Sequence, residues 1–309
     1  MIRPLQHLLG SPIALTELKH KPDRRRTLRA HGPGGTVIVK IYASGRASTV
    51  ARRIAALGSG PVEPRVPAVL FVDGRLHMVV LSDVAGTPFR NALIEGSEDA
   101  CRHVGVALAG WHLFWRAHAP SALAPHDVSR ELEILRSFTQ KAPATVASAV
   151  RSALPSLAHV TWEPTTVVHR DLYEEHILLG DGIGLIDIDD AALGPPELDL
   201  GNLWAHLEFL ALRVGQDFLP LATRLLESYV DAGGGLDPRL FAWCRSSTLL
   251  RLACIHERED LVDAAMSWPP GTSLDAEHVL SPTGTFSPEG VFDRLSLPWG
   301  GGDIERSLE

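Results

Sequence analysis

Two acid-bearing strings joined by a tight turn constrain this chain more than any other feature. The first is VVHRDLYEEHILL, residues 167–179, and the second is LIDIDDAALGPPELDLGNL, residues 185–203. Between them Gly180-Asp181-Gly182 supplies a turn flanked by apolar runs suited to short strands. Asp171 and the pair Asp187 and Asp189 then stand at opposite ends of a tight hairpin and can converge in space. Phosphoryl transfer needs a set of this kind. One carboxylate orients or deprotonates an attacking hydroxyl, while other oxygen ligands hold the magnesium that offsets phosphate charge. On an extended segment alternate side chains share a face, so both Asp187 and Asp189 would point at the metal.

The pattern ahead of the strings is strand-like. Ile13–Leu18, Arg25–Ala30 and Thr36–Tyr42 read as strands, separated by the turn clusters KHKPD and HGPGG. Ala47–Leu57 reads as a short helix. Val66–Val72 and Leu76–Leu81 follow as two more strands, joined at Asp73-Gly74, a strong hairpin signal. Five antiparallel strands with one helix after the third make an α+β arrangement. From about Glu98 the spacing turns helical, with helices expected over Glu98–His118, Val128–Phe138, Ala144–Leu154, Leu200–Val214, Phe218–Asp231 and Pro238–Arg258. The organisation expected is a small strand-rich lobe over residues 1–85, a larger helical lobe over 86–266, and an irregular Pro-, Gly- and Ser-rich tail over 267–309. Trp111, Trp115, Trp204 and Trp243 lie on apolar helix faces and read as core.

Bulk properties narrow the function classes. Hydrophobic residues make up 45% of the 309, enough for substantial cores. A net charge of -8 speaks against a general nucleic-acid binder, which needs a concentrated basic surface. Cys101, Cys244 and Cys254 form no CxxC pair and read as buried free thiols, which fits a reducing cytoplasm. No run of 18 apolar residues appears and the opening MIRPLQHLLGSPIAL lacks the apolar stretch of a secretion signal. The expectation is a cytoplasmic protein without a membrane or nucleic-acid partner, acting as a monomer or homodimer.

The two strings resemble the catalytic core of the aminoglycoside phosphotransferase family, which shares the two-lobed protein-kinase-like fold. HRDLYEEH is similar to that family's catalytic loop, and LIDIDDAALGPPELDLGN to its metal-binding segment. The resemblance implies Asp171 as catalytic base and Asp187 as the main magnesium ligand. Asp199 would be structural, bonding back to the catalytic loop, and His169 would brace that loop. Lys40, in TVIVKIY, sits where the family's third-strand lysine reaches the phosphates. LSDVAGTPF, residues 81–89, is similar to the linker whose backbone binds the adenine edge, which points to Ser82 and Val84. The implied cofactors are ATP, with GTP left open, and Mg2+; the implied partner is a small hydroxylated substrate. Glu208, Glu257, Glu259 and Asp260 stand where an acidic wall for a cationic acceptor would lie.

Three departures from the family pattern bear on function. His176 stands at the position of the magnesium-binding asparagine, although magnesium prefers oxygen donors. The helix Ala47–Leu57 holds Arg52 and Arg53 but no glutamate to pair with Lys40. KHKPDRR replaces a glycine-rich phosphate loop, which disfavours a protein kinase. Two further readings stay open at this point: a kinase-like protein that binds nucleotide or a partner without turnover, and a metal-dependent hydrolase built from His169, Asp171, His176 and Asp187.

Overall fold

A five-stranded antiparallel sheet, in the order β1-β2-β3-β5-β4, carries the first half of the site. The structure, a computed structural model, describes residues 2–267. A short helix α1 (Ile2–Leu9) precedes β1 (Ala14–Lys21), β2 (Arg25–Gly32) and β3 (Gly35–Tyr42); α2 (Ala47–Ala56) then leads to β4 (Val69–Asp73) and β5 (Met78–Ser82). Four consecutive residues of β5, Met78 to Leu81, are buried. Successive side chains in a strand face opposite ways, so both faces of the sheet must be covered. Met78 and Val80 pack with Leu5 and Leu9 of α1, while α2 packs against β4 and β5. Lys40 is the cross-strand partner of Val79.

Two boundaries differ from the sequence reading for identifiable reasons. Asp73 Oδ1 accepts the amides of Arg75 and Leu76 at 2.9 and 3.0 Å, and His77 takes a positive φ of 50°. The β4–β5 connection is therefore a four-residue loop rather than a two-residue turn. Residues just before β4 leave the sheet: the Arg65 amide donates to Ile183 O and its carbonyl accepts from Leu185 N, both at 2.8 Å. The short helix α1 carries no signal strong enough to read alone, and it is held by the burial of Leu5 and Leu9.

The second half is mainly helical. After a two-residue strand β6 (Thr87–Pro88) come α3 (Phe89–Ile94), α4 (Glu98–Ala117), α5 (Val128–Thr139) and α6 (Ala144–Leu157). β7 (Thr166–Val168) pairs antiparallel with β10 (Ala192–Gly194), and β8 (Ile177–Gly180) pairs with β9 (Gly182–Leu185) as the hairpin expected around Asp181. A 3-10 turn spans Ile188–Asp190. The remaining helices are α7 (Glu197–Val214), α8 (Leu219–Asp231), α9 (Pro238–His256) and α10 (Asp260–Met266). α7 opens three residues before the apolar run, which puts Asp199 in its first turn.

The helical core forms where α9 is buried nearly all round, between α5, α6, α7 and α10. Ser97, Asp127 and Asp237 cap α4, α5 and α9 through side-chain oxygens that accept amides of the first turn. Trp111, Trp115, Trp204 and Trp243 are all buried, as are the three free cysteines. Among the described residues no helix is long and apolar enough to cross a membrane. The expected irregular tail lies outside the described residues.

Glycine lets α4 lie directly on α8. A Cβ on Gly105 would come 2.3 Å from Leu225 O and 3.0 Å from Tyr229 N, both backbone atoms that cannot swing aside. Gly105→Val should therefore destabilise the protein by about 1–3 kcal/mol through overpacking. Urea unfolding reads this directly, with Gly110→Val, where a Cβ meets open space, as the control.

Candidate active site

The loop carrying His169, Arg170 and Asp171 is held from below by one carboxylate. Pairing of β7 with β10 brings residue 169 beside the first turn of α7. There Asp199, 1% exposed, accepts the amide of His169 on Oδ2 at 2.7 Å and the amide of Arg170 on Oδ1 at 2.8 Å. Arg170 has a φ of 70°, a conformation costly for a side chain with a Cβ, and these two charge-assisted bonds hold it there. His169 ties the loop to the next segment. Its Nε2–H donates to Ile186 O at 2.8 Å, and its Nδ1 accepts the Asp171 amide at 3.3 Å.

His176 stands between the two acids. Its Nδ1 lies 2.7 Å from the carbonyl of Asp171, and because a carbonyl only accepts, Nδ1 carries the proton. Nε2 is left with its lone pair, 3.5 Å from Asp187 Oδ2. On the other side, Asp171 Oδ2 is 3.9 Å from Nδ1. Burial pushes the imidazole down to about 4, against the pull of Asp187 and Asp171, so it is neutral at pH 7. Two lone-pair donors, Asp187 Oδ2 and His176 Nε2, thus face each other with no proton between them.

The segment carrying Asp187 and Asp189 is not extended. Asp187 is left-handed, with φ 59°, and starts the 3-10 turn that contains Asp189. The alternation argument for Asp187 and Asp189 therefore has no strand to act on. The two acids converge through cations brought by the sheet. Lys40, 4% exposed, donates to Asp187 Oδ1 at 2.8 Å and to Asp189 Oδ1 at 2.6 Å. Arg25 spans Asp187, with Nη1 to Oδ1 at 2.7 Å and Nη2 to Oδ2 at 2.8 Å, and also reaches Asp189 Oδ2. Tyr42 OH donates to Asp189 Oδ2 at 2.7 Å.

This cluster accounts for the missing glutamate. α2 presents arginines instead: Arg53 donates to the carbonyl of Asp189 at 3.1 Å and pairs with Asp190 at 3.5 Å, and Arg46 donates to Asp190 Oδ1 at 2.5 Å. The pairing has been turned round, so that Lys40 takes its anionic partner from the acid segment. Burial by itself would raise the Asp187 carboxyl. Lys40 and the Arg25 hydrogen bonds overcome this and hold it well below the usual carboxylate range. Burial and the Asp189 carboxylate raise the Tyr42 hydroxyl. Asp171 is likewise lowered: its burial is outweighed by His176, Arg251, His206 and His169.

A cleft of about 240 Å³ opens between these groups, lined by Lys21, Arg24 and Arg46 together with Asp23, Asp171, Asp187 and Asp190. Ser82 ends β5, where its Oγ accepts the amide of Ala68 at 2.8 Å. Val84 packs on Gly184 of the hairpin, leaving the backbone of residues 83–86 to connect the sheet to β6. Two members of the expected acidic wall are engaged elsewhere. Glu208 is bidentate to buried Arg245 at 2.6 and 2.7 Å, and Asp260 pairs with Arg258. His206 stacks on Tyr173 at 4.7 Å, beside the catalytic loop.

Residues 18–29, which resemble the family's turn above the phosphates, include Arg25 without singling it out, and Tyr42 and Arg46 are not named as site residues by the sequence reading. Tyr42 lies two residues from Lys40 on the same face, and Arg25 is the cross-strand partner of Tyr42. The register of the β2–β3 hairpin would have pointed to both.

The fold and this geometry define a small-molecule phosphotransferase of the kinase-like class. The sequence profile of the phosphotransferase enzyme family matches residues 15–244, and the chain belongs to that family. No curated protein sequence matches the chain. Among solved structures it is similar to a choline/ethanolamine kinase family protein from Mesorhizobium loti, with 18% identity, 85% of this chain and 88% of the other covered, and a TM-score of 0.56. Spectinomycin phosphotransferase APH(9)-Ia, in complex with ADP and spectinomycin, aligns at 16% identity over 89% and 90%, TM-score 0.58. Amicoumacin kinase hAmiN, in complex with AMP-PNP, Ca2+ and Ami, aligns at 11% identity over 81% and 87%, TM-score 0.60.

Two predictions follow from the geometry. Asp199→Ala leaves two buried amides without an acceptor and should cost about 2–5 kcal/mol in urea unfolding. The second concerns acid. Burial lowers His206 to about 3, as it lowers His176 to about 4, from ordinary values near 6.5. Between pH 6.5 and about 4 the unfolded chain binds protons that the folded one refuses, so stability should fall as pH drops through that window. The lowered Asp187 adds a further loss below pH 4. Denaturation midpoints measured from pH 7.5 to 4.5 should decline steadily, and more shallowly in His206→Phe.

Proposed function

We propose that this protein transfers the γ-phosphoryl group of ATP to a hydroxyl of a small molecule. One observation carries the reading: His176 holds Asp171 and Asp187 on either side of one imidazole, while Lys40 reaches the same carboxylate from β3. Asp171 is the catalytic base. It accepts the hydroxyl proton as the acceptor oxygen bonds to the γ-phosphorus and the bond to the leaving ADP oxygen breaks. Like any carboxyl of ordinary or lowered pKa it is ionised at neutral pH, and so can accept that proton.

The donor set fits a magnesium ion. Asp187 Oδ2 and His176 Nε2 offer two lone pairs, and an ion that keeps several waters and takes phosphate oxygens needs no more from the protein. When bound, the ion offsets charge on the phosphates. Among the described residues no three such donors form a ready-made cage, and His169 spends Nε2 on Ile186, so the four-residue hydrolase site is not assembled. Asp189 serves Lys40 in place of a helix glutamate rather than serving the metal. Residues 83–86 hold the adenine edge through backbone groups, with Ser82 and Val84 at their start. Catalysis rests on positioning and charge neutralisation in the cleft.

The first test is thermal unfolding with ADP or ATP and Mg2+. A ligand at about 100 times its Kd stabilises by roughly 2.7 kcal/mol, a readily visible shift. Asp171→Asn should keep that shift while lowering turnover on any accepted hydroxyl compound by roughly 10²–10⁴-fold. A wild-type protein that binds nucleotide yet phosphorylates no acceptor, in a screen of neutral, cationic and anionic alcohols, would instead support a binding role without turnover.

A further inference from the structure

Arg25 and a divalent cation compete for the same oxygens. The guanidinium takes both carboxylate oxygens of Asp187, including Oδ2, the one that faces His176 Nε2. Its side chain is 13% exposed and also reaches Asp189 Oδ2, while its backbone is fixed where β2 pairs with β3 at Arg25 and Tyr42. The bond is strong in kind: a planar fork on a carboxylate, two parallel charge-assisted hydrogen bonds, partly out of water. Burial would lower the guanidinium, yet the Asp187 hydrogen bonds and charge raise it.

Lys40 is not an equivalent competitor. Both side chains also reach Asp189, but Lys40 touches only Oδ1 of Asp187, so it can stay when Oδ2 is taken by another ligand. Arg25 must leave Oδ2, and it has somewhere to go. The cleft beside it, about 240 Å³, is lined by Lys21, Arg24 and Arg46 as well as by the carboxylates of Asp23, Asp171 and Asp190. A polyphosphate entering that space meets three cations and offers Arg25 a second set of anionic oxygens. A change of rotamer is enough to make the exchange, because the backbone of β2 need not move.

We propose that Arg25 couples metal binding to nucleotide binding: it closes Asp187 to a lone divalent cation and releases it when phosphates draw the guanidinium away. The inference rests on the reading of Asp187 as the metal ligand. Its consequence is synergy. Metal alone binds weakly, nucleotide opens the carboxylate, and by reciprocity metal strengthens nucleotide binding by the same factor. Arg25 is thus a positioning residue that sets the order in which the site fills.

The probe is Mn2+, followed by electron paramagnetic resonance and calorimetry on the full chain, first without nucleotide and then with ADP. Arg25→Gln removes the charge and the fork while Lys40 and Tyr42 still hold Asp189. It should bind Mn2+ alone more tightly than wild type by roughly tenfold to a hundredfold, the range implied by a charge-assisted bond to a carboxylate. With ADP present the difference should shrink to less than about threefold, since the phosphates then compete for Arg25 in the wild type. Arg25→Lys, which keeps the charge but cannot take both oxygens, should lie between and serves if the glutamine variant fails to fold.

Equal or weaker Mn2+ binding by the variants without nucleotide overturns the proposal. Failure of the underlying reading looks different. Mn2+ binding to Arg25→Gln that survives the added change Asp187→Asn would show that the metal is not at Asp187, and both ideas fall together. Binding of Mn2+ with ADP that needs Asp187 in wild type, without a gain in Arg25→Gln alone, would keep the reading and remove only the coupling.

Discussion

A buried knot of opposite charges ties the sheet to the acid segment. Lys40, Arg25 and Tyr42 arrive on two adjacent strands; Asp187 and Asp189 arrive on a left-handed residue and a 3-10 turn. Taking such groups out of water is expensive, and only mutual pairing with good geometry recovers the loss. The rest of the arrangement serves that requirement. The β2–β3 register puts Arg25 beside Tyr42, α2 adds Arg46 and Arg53 at the rim, and the β8–β9 hairpin delivers Asp187 at the right height. A shift of one residue in β3 would turn Lys40 toward α1 and leave two carboxylates buried without partners.

The second fixed point is Asp199. It holds the amides on both sides of the loop peptide that positions Asp171, and it does so from the first turn of a helix packed on α9. Helix packing in the C-terminal half is thereby transmitted to the loop through two hydrogen bonds. Gly201, whose added Cβ would lie 2.7 Å from the Arg245 amide, lets α7 and α9 approach closely enough for this. Asn202 adds a third tie, donating to Leu172 O at 2.7 Å.

His176 sets the chemistry on offer between the two acids, and differs from the asparagine that the family resemblance leads one to expect there. An asparagine offers one carbonyl oxygen with rotatable donors. A buried imidazole, its proton committed to the Asp171 carbonyl, offers one directed lone pair and stays neutral near pH 7. It also forms part of a stack, lying 4.0 Å from the Tyr173 ring and 5.6 Å from His169. The loop is therefore stiffened by ring packing as well as by hydrogen bonds.

The strings around Asp171 and Asp187, read alone, carried the resemblance to the phosphotransferase enzyme family, to which the chain belongs, and with it the class of fold. Catalytic loops need particular residue types at particular spacings, and those survive in linear order. Strand and helix periodicity likewise placed Lys40 on β3 and the large helices in order, since local alternation and helical spacing are written along the chain. Only the tertiary structure decided who partners whom. Asp189 became the partner of Lys40, Arg25 entered the site from the start of β2, and Glu208 was claimed by Arg245. Each of these joins residues far apart in sequence, across a register or a helix crossing. Charge pairing of that kind depends on distance in space, and no local pattern of residues encodes it.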